Sequence, residues 1–176
     1  MDERVDWSSI AETLGTITRT AEGRSESGGS VVAVQALNHI LGDQFFLDAV
    51  EHTLSWHEGN ETSRSVLHFL RPKIAAERCI HVFRTTPDDE LASDAIHLLS
   101  DVAELDALNW LDEIFESENY LTRVWGLRVI DQLWMRGLGD DEAINLIEPI
   151  LKDQNAVVVG RARELINMIK GEDDET

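Results

Sequence analysis

The stretch LKDQNAVVVGRARELI, residues 151–166, sets the pattern on which the rest of the sequence is built. An apolar segment ends at a polar turn around Asp153, and a second apolar segment places Val158, Ala162 and Ile166 four residues apart. Because four residues are close to one helical turn, these three side chains share one face of a helix. The stretch therefore predicts a helix, a tight turn and a second helix.

Working outward, polar and glycine-containing turns divide the chain into short segments with helical periodicity. From residue 30 onward the predicted helices form pairs, with one helix left over: 30–41 with 43–56, 63–71 with 73–85, 88–103 with 104–116, 119–136 with 140–152, and then 155–170. The first helix of each pair carries an anchor that is small or apolar, followed by apolar residues three or four positions later. The anchors are Ala36, Leu67, Ala95, Gly126 and Ala162, spaced 31, 28, 31 and 36 residues apart. Such anchors let neighbouring helices approach closely, so the recurrence predicts a stacked repeat.

The recurring pattern resembles the HEAT-repeat family, in which Leu-x-Asp and a short turn precede Val-Arg, Ala and Leu. Asp153, Val158, Ala162 and Ile166 match that pattern, and Arg64 and Arg123 occupy the arginine slot. Val159 and Ala92 depart from the family at that slot, and Ser117 replaces the turn aspartate. The resemblance implies an all-α, HEAT-like α-α superhelix (solenoid) of about four helix pairs over residues 30–171. An ordinary helical bundle with coincidental spacing is the alternative.

The segments flanking the repeats are predicted separately. Residues 1–22 form an N-terminal amphipathic helix with an apolar stripe and a capping box of Ser9 and Glu12. Residues 23–29, GRSESGG, are predicted to be a flexible linker, and residues 172–176 an acidic, disordered tail. Within 140–152, Pro149 is expected to kink or shorten its helix.

Charge restricts the class of partner. The 176 residues contain 34 Asp and Glu against 15 Lys and Arg, a net charge of -19. Phosphate backbones and anionic membranes select basic surfaces, so nucleic acid and membranes are disfavoured as partners. No apolar run reaches the length of a membrane span. The single cysteine, Cys79, permits no intramolecular disulfide and agrees with a reducing compartment, so a cytoplasmic location is predicted.

The negative charge is concentrated in one repeat. Between Thr85 and Thr122 there are eleven acidic residues and no Lys or Arg, whereas the segment Thr62–Arg84 has five basic residues and one acidic residue. In one interpretation the acidic repeat is a solvated face that its basic neighbour partly neutralises, or reflects solubility or a saline habitat. In the other interpretation, it meets a basic partner and accelerates association with it.

Aromatic residues near the acidic side chains define a candidate partner-binding surface. Trp110 falls at the edge of the apolar face of 104–116, beside Asp106 and Glu113, although packing against a neighbouring repeat is an alternative. The resemblance implies that the second helices line a concave face where partners bind. The candidate surface on those helices comprises Asp48, Glu51, Trp56, Glu77, Asp106, Trp110, Glu113 and Glu116. Trp125 and Trp134 lie on a helix that is apolar all round and are predicted to be core residues.

No motif for catalysis emerges. The six histidines form neither HExxH nor a Cys/His cluster, and the single His-Glu pair, at His57, makes a resemblance to HEAT-type deoxyhypusine hydroxylases weak. Cys79 lies on an apolar helix face and is predicted to be a structural thiol. Alkylpurine DNA glycosylases share the architecture but need a basic concave face. No catalytic, cofactor-binding or metal-binding residue and no cofactor is therefore predicted.

These observations favour a non-enzymatic protein-binding module with a basic protein as partner. One specific form is an immunity or inhibitor protein that masks a basic toxin or nuclease through its acidic face. The alternatives are a general HEAT-like scaffold or adaptor subunit, in which charge serves only solubility, and a small enzyme resembling phycobilin lyases. The sequence leaves the oligomeric state open.

Overall fold

The computed structural model describes residues 5–21 and 23–171, and this part of the chain is all-α apart from one two-stranded hairpin. The α-helices are α1 (Trp7–Thr13), α2 (Ser30–Leu54), α3 (Asn60–Leu70), α4 (Lys73–Thr85), α5 (Asp89–Val102), α6 (Leu111–Phe115), α7 (Tyr120–Met135), α8 (Asp140–Ile147) and α9 (Ala156–Lys170). Two 3₁₀ helices, Leu105–Trp110 and Glu148–Lys152, precede α6 and follow α8. The hairpin strands are β1 (Ile17–Thr20) and β2 (Gly23–Glu26).

The helix starts follow from capping side chains in the predicted turns. Asp88 accepts hydrogen bonds from two backbone N–H groups in the first turn of α5. Asn119 caps α7 and Asn155 caps α9 in the same way. Because these side chains satisfy N–H groups that have no partner inside the helix, the predicted boundaries agree with the structure to within a few residues.

Two interruptions were expected and are present. α2 consists of two helical parts joined by a kink at Gly42, whose φ of 73° and ψ of 164° are non-helical. The kink separates the two helices predicted over 30–41 and 43–56. Pro149 lies in the first turn of the 3₁₀ helix Glu148–Lys152, so α8 ends at Ile147 instead of continuing to Lys152. Proline lacks an N–H group and clashes with the preceding turn of an α-helix, which explains the change of helix type.

The core lies between helices that contact one another in chain order. α3 contacts α5, α5 contacts α7, and α7 contacts α9, while α4 packs against both α2 and α5. The predicted anchors Leu67, Ala95, Gly126 and Ala162 are buried in this row, and only Ala36, on α2, is partly exposed. Trp125 and Trp134 are half-buried and pack against the core, as predicted.

At Gly126, α7 passes close to side chains of α6. A Cβ atom at this position would lie 2.8 Å from Ile114 Cγ2 and 2.9 Å from Phe115 Cε1. Those distances are shorter than real Cβ contacts, so α6 can pack on α7 only because residue 126 has no side chain. The sequence-based prediction that a small residue lets helices approach is confirmed here.

The N-terminal region differs from its prediction. α1 ends at Thr13, and Gly15, with φ of 66°, turns the chain into the hairpin. Ile17 pairs with Glu26 in antiparallel register, so part of the predicted linker is strand β2, and α2 begins at Ser30. β-Branched residues between 16 and 20 favour the strand over a longer helix.

The side chain of Asp6, not a Ser9–Glu12 capping box, caps α1. The predicted tail, 172–176, lies outside the described residues.

A second correction concerns residues 104–116, predicted as one helix. Leu105–Trp110 is 3₁₀ and only Leu111–Phe115 is α-helical. A 3₁₀ helix turns about 120° per residue, so the face calculated at 100° is lost. Leu111 is buried, whereas Leu105 is 57% exposed.

Candidate partner-binding surface

The basic segment and the acidic segment lie against each other, joined by four ion pairs. Each pair links a basic residue between positions 64 and 84 to an acidic residue in the following repeat. The pairs are Arg64 with Asp101 at 2.6 Å, Arg71 with Glu104 at 3.1 Å, Lys73 with Asp106 at 3.9 Å, and Arg84 with Glu113 at 2.6 Å. The partial neutralisation expected from the basic segment Thr62–Arg84 is therefore present. It leaves fewer acidic side chains available to bind a partner.

Most acidic members of the predicted surface already have partners within the chain. Glu51 pairs with Arg78 at 2.9 Å, and Glu77 lies 3.6 Å from Lys73. Asp106 and Glu113 belong to the interrepeat pairs above. Asp48 is exposed and accepts a hydrogen bond from Gln44 at 2.7 Å. These residues lie on α2, on α4, in the 3₁₀ helix Leu105–Trp110 and on α6, and their carboxylates are engaged.

Arg84 and Glu113 form the best-defined of these pairs. Arg84 Nε and Nη2 donate to the two carboxylate oxygens of Glu113 at 3.0 and 2.6 Å, a bidentate geometry. The hydrogen bonds to Glu113 raise the pKa of Arg84 above its ordinary value. A basic partner that contacts Glu113 must first displace an internal guanidinium, which lowers the gain from that contact.

The two predicted tryptophans differ in their surroundings. Trp110 is half-buried and packs against the core, which is the alternative named above. Trp56 is 64% exposed and lies just beyond α2, not within it as predicted. Its φ of 56° is left-handed, a conformation in which bulky residues are strained and glycine is the usual choice after a helix. The indole Nε1 donates to Asp94 Oδ2 at 2.9 Å, so Trp56 is exposed but held in place.

A narrow cleft opens beside Trp56, with Asp94 and Glu61 on its walls and Arg64 and His97 among its lining residues. Its volume of about 20 Å³ is enough for roughly one water molecule. Pockets that bind small molecules have volumes of about 300–1,000 Å³, so the cleft is far smaller than a small-molecule site.

Below the cleft, an arginine, a histidine and an aspartate form a polar network. Arg64 Nη2 lies 2.8 Å from His97 Nε2, and the His97 ring stacks on Trp125 with centroids 3.8 Å apart. Asp101, which is buried, accepts from Arg64 and also from Arg128 at 3.4 Å. Burial, and next the charge of Arg64, lower the pKa of His97 below its ordinary value. A lowered pKa favours the neutral ring, whose Nε2 can accept the hydrogen bond from Arg64.

Several acidic residues between 88 and 118 form no ion pair with any described residue. They are Asp88, Asp89, Glu90, Asp94, Asp112, Glu116 and Glu118. Asn119 Nδ2 donates to the carbonyl of Asp89 at 3.1 Å, which places the turn before α7 beside the start of α5. We call Trp56, Asp88, Asp89, Glu90, Asp94 and Glu118 the Trp56 edge.

Of the Trp56 edge, only Trp56 belonged to the predicted surface. Which carboxylates form ion pairs depends on which basic residues the neighbouring helix presents, and spacing along one helix does not reveal that. In the sequence, the run TPDDE at 86–90 indicated a turn and the start of a helix. It did not indicate a contact surface. Glu116, which was predicted, is exposed and without an ion pair to the described residues, and lies in the turn before α7.

The remaining candidate for chemistry is the thiol of Cys79. Its side chain is fully buried, and burial, followed by the charge of Asp101, raises its pKa far above the ordinary value. A thiol in this state is not a nucleophile at neutral pH. Among residues 5–21 and 23–171, no group of three or more His, Cys, Asp and Glu side chains is placed to hold a metal ion.

Comparison with known proteins adds no assignment. No protein-family model, curated protein or solved structure matches the chain. Within the described part of the chain, no helix combines the length and the apolar character that crossing a membrane requires.

Proposed function

We propose that this chain is a non-enzymatic protein-binding module that engages a basic protein through the Trp56 edge. The observation that carries the proposal is Trp56 itself. It is a large aromatic side chain, 64% exposed, in a strained left-handed conformation beside a carboxylate. Strained residues persist where the surroundings over-determine them, and they concentrate at ligand contacts.

The chemistry of the edge favours a partner rich in Lys and Arg. Trp56 offers a π face, and Asp94 and Glu90 lie four residues apart on one side of α5. A guanidinium or ammonium group can contact the indole and the carboxylates together, combining cation–π attraction with ion pairing. Tryptophan is also enriched among interface residues whose truncation costs most affinity.

The proposed framework for this edge is a HEAT-like superhelix of repeated helix pairs. Contacts between α3, α5, α7 and α9 in chain order support it. Side-chain ties between repeats support it as well, because they recur at sequence separations of 27–37 residues, close to the spacing of the anchors. In such an arrangement, the turns before α3, α5, α7 and α9 share one edge, to which Trp56, Asp88 and Glu118 belong.

The specific role we propose is that of an immunity or inhibitor protein for a basic toxin or nuclease. An inhibitor of this kind must bind its target quickly and need not catalyse a reaction. A net charge of -19 raises the rate of encounter with a cationic protein. A scaffold that uses charge only for solubility would bind through apolar surface, and its binding would not weaken when salt is added.

The experiment is an affinity capture from an extract of the source organism with three baits and elution by a salt gradient. The baits are the wild type, an edge variant (Asp89→Asn with Glu90→Gln) and a control (Glu51→Gln with Glu113→Gln). Both variants lose two negative charges, but only the control changes carboxylates that are already paired. We expect a basic protein that elutes from the edge variant at lower salt than from the other two baits.

The outcomes separate the possibilities. Equal weakening on both variants would show that total charge, not the Trp56 edge, governs binding. The same proteins retained equally on all three baits, and insensitive to salt, would contradict the proposal. If the captured protein has toxic or nuclease activity, its suppression by added wild-type chain tests the immunity role directly.

A further inference from the structure

His97 lies where the cleft beside Trp56 meets the polar network below it. Its side chain is half-buried on α5 and lines the cleft together with Trp56, Glu61, Arg64 and Asp94. Asp94 precedes His97 by three residues, about one turn of α5, and accepts the hydrogen bond from the Trp56 indole. A change in the charge of His97 is therefore a change in the charge of the cleft itself.

The contact with Arg64 requires the neutral form of the His97 ring. Arg64 Nη2 lies 2.8 Å from His97 Nε2, and a guanidinium nitrogen can only donate, so Nε2 is the nitrogen without a hydrogen. In the protonated ring both nitrogens carry hydrogen, so two donors and two positive charges would face each other. Protonation of His97 therefore breaks its hydrogen bond with Arg64.

Charged groups face the His97 ring from three helices. Arg64 of α3 and Arg128 of α7 disfavour the protonated ring, whereas Asp101 and Asp94 of α5 favour it. Burial, and next the charge of Arg64, lower the pKa of His97 below its ordinary value of 6.5. Asp101 compensates for little of this, because its carboxylate already pairs with both arginines. The ring is thus neutral at neutral pH and becomes protonated as the pH falls below 6.5.

We propose that His97 is a pH switch for the Trp56 edge, and that its protonation weakens binding of the basic partner. This inference rests on the proposed function, because it concerns the regulation of that same surface. While His97 is neutral, the cleft is lined by two carboxylates, Glu61 and Asp94, and by one guanidinium, Arg64. Protonation adds a second positive charge and cancels the excess of negative charge, so a cationic side chain beside Trp56 is no longer attracted to the cleft.

The coupling between the proton and the partner acts in both directions. If protonation of His97 weakens binding of a cation, the bound cation opposes protonation of His97 by the same factor. Couplings between two sites start at about fivefold, and the cleft brings the two positive charges to one small site. A bound basic peptide is therefore expected to lower the midpoint of the His97 titration further.

The test measures binding of a fluorescein-labelled peptide of alternating Arg and Gly by fluorescence anisotropy. The dissociation constant is determined at pH of about 7.5 and about 5.0, a range that lies above the ordinary pKa values of Asp and Glu. Binding by the wild type is expected to be weaker at the lower pH. His97→Gln retains an acceptor for Arg64 but does not titrate, so its loss of affinity is expected to be smaller by at least about fivefold.

His39→Gln is the matched control, because His39 is exposed near the start of α2, whereas Trp56 follows the end of that helix. This variant also loses one titrating imidazole and is expected to show the pH dependence of the wild type. His52 and His57, close to Trp56 in the sequence, are present in all three proteins and do not contribute to the differences between them.

Nuclear magnetic resonance separates failure of this inference from failure of the proposed function. A peptide that binds at neither pH, or that leaves the resonance of the Trp56 indole N–H unmoved, contradicts the proposed function and the inference with it. A peptide that binds at Trp56 with the same pH dependence in the wild type and in His97→Gln overturns the inference alone. The midpoint of His97 in the wild type is a second measurement that needs no variant, and a midpoint that the peptide does not lower also overturns the inference.

Discussion

Arg123, in α7, binds Asp153, in the turn before α9, through two parallel hydrogen bonds of 2.6 and 3.1 Å. The same guanidinium donates to the carbonyls of Ser117 and Glu118 in the turn before α7. One side chain therefore joins two successive interrepeat turns. The hydrogen bonds from Arg123 lower the pKa of Asp153 below its ordinary value.

Removing this arginine should destabilise the fold. In Arg123→Ala, Asp153 and two carbonyls lose their donor in a place where the side chains are only 13% and 11% exposed. We expect a loss of about 3 kcal/mol in the free energy of unfolding, the lower end of the range for breaking a buried pair. Arg123→Lys should lie in between, since lysine keeps the charge but not the bidentate geometry. Urea unfolding followed by circular dichroism measures both.

The control for this prediction is Arg163→Ala, at an exposed position on α9. It removes the same side chain without opening a buried site, so a change within about 0.5 kcal/mol is expected. If Arg123→Ala and Arg163→Ala had equal unfolding midpoints, Arg123 would contribute nothing beyond a surface charge.

The repeat pattern placed Arg123 in the arginine slot of the repeat and Asp153 at the turn aspartate, and most helix starts from residue 30 onward agree with the structure to within a few residues, although 104–116 and 140–152 are not single α-helices. Turn chemistry explains this success, because Asp88, Asn119 and Asn155 mark their helix starts locally. The N-terminal hairpin escaped prediction because its pairing joins residues on either side of a turn. The apolar residues at the N-terminus have helical spacing, which led to the prediction of one longer helix. These residues are Trp7, Ile10, Leu14 and Ile17, and in the structure Trp7 is 61% exposed.

Gly126 offers a test of the close helix approach. A Cβ at 126 would lie within 3.0 Å of side-chain atoms of Ile114 and Phe115, so Gly126→Ala must displace these buried and half-buried side chains of α6. Overpacking of this kind costs about 1–3 kcal/mol, which outweighs the gain of about 1 kcal/mol from the helix propensity of alanine. We expect net destabilisation in urea unfolding.

The matched control is Gly160→Ala in α9, where nothing lies within 4 Å of the new methyl group. Only the propensity gain remains, so this variant is expected to be more stable than the wild type by up to about 1 kcal/mol. The same substitution should thus change stability in opposite directions at the two positions. Equal effects would mean that α6 and α7 do not pack as closely as the structure shows.

His97 predicts a pH dependence. Its pKa is lowered from 6.5 in the folded state, mainly by burial and then by Arg64, so the unfolded chain binds a proton more readily. The stabilising effect of neutral His97 is complete above the unfolded pKa and is lost as the pH falls through 6.5 towards the folded value. Between pH of about 7.5 and about 5.5, the free energy of unfolding should therefore decrease as the pH falls.

The comparison is with His97→Gln, which retains an acceptor for Arg64 but does not titrate. Urea unfolding at both pH values should show a smaller decrease for this variant than for the wild type. A histidine titration followed by nuclear magnetic resonance should place the midpoint of His97 below 6.5. A midpoint above 6.5 would contradict the burial of the ring and its contact with Arg64.

The candidate surface was only partly predictable, for a physical reason. The eleven acidic residues were visible in the sequence, but pairing with Arg64, Arg71, Lys73 and Arg84 depends on how one repeat lies on the next. The alternation of charge between adjacent repeats indicated that the basic segment partly neutralises the acidic one. It did not show which carboxylates remain without an ion pair. Trp56 was included because of its place on a predicted helix, yet its exposure results from the left-handed turn after Leu54.

Trp56 provides the test of strain against function. With φ of 56°, residue 56 suits glycine better than any side chain, so Trp56→Gly should be more stable than Trp56→Ala by about 1 kcal/mol. That order reverses the usual preference for alanine. Both variants remove the aromatic ring, so both should weaken capture of the basic partner equally. Thermal unfolding measures the first effect and the salt at which the partner elutes measures the second. If a Trp56 variant unfolds at a higher temperature than the wild type but releases the partner at lower salt, the strained tryptophan is retained for its contact and not for the fold.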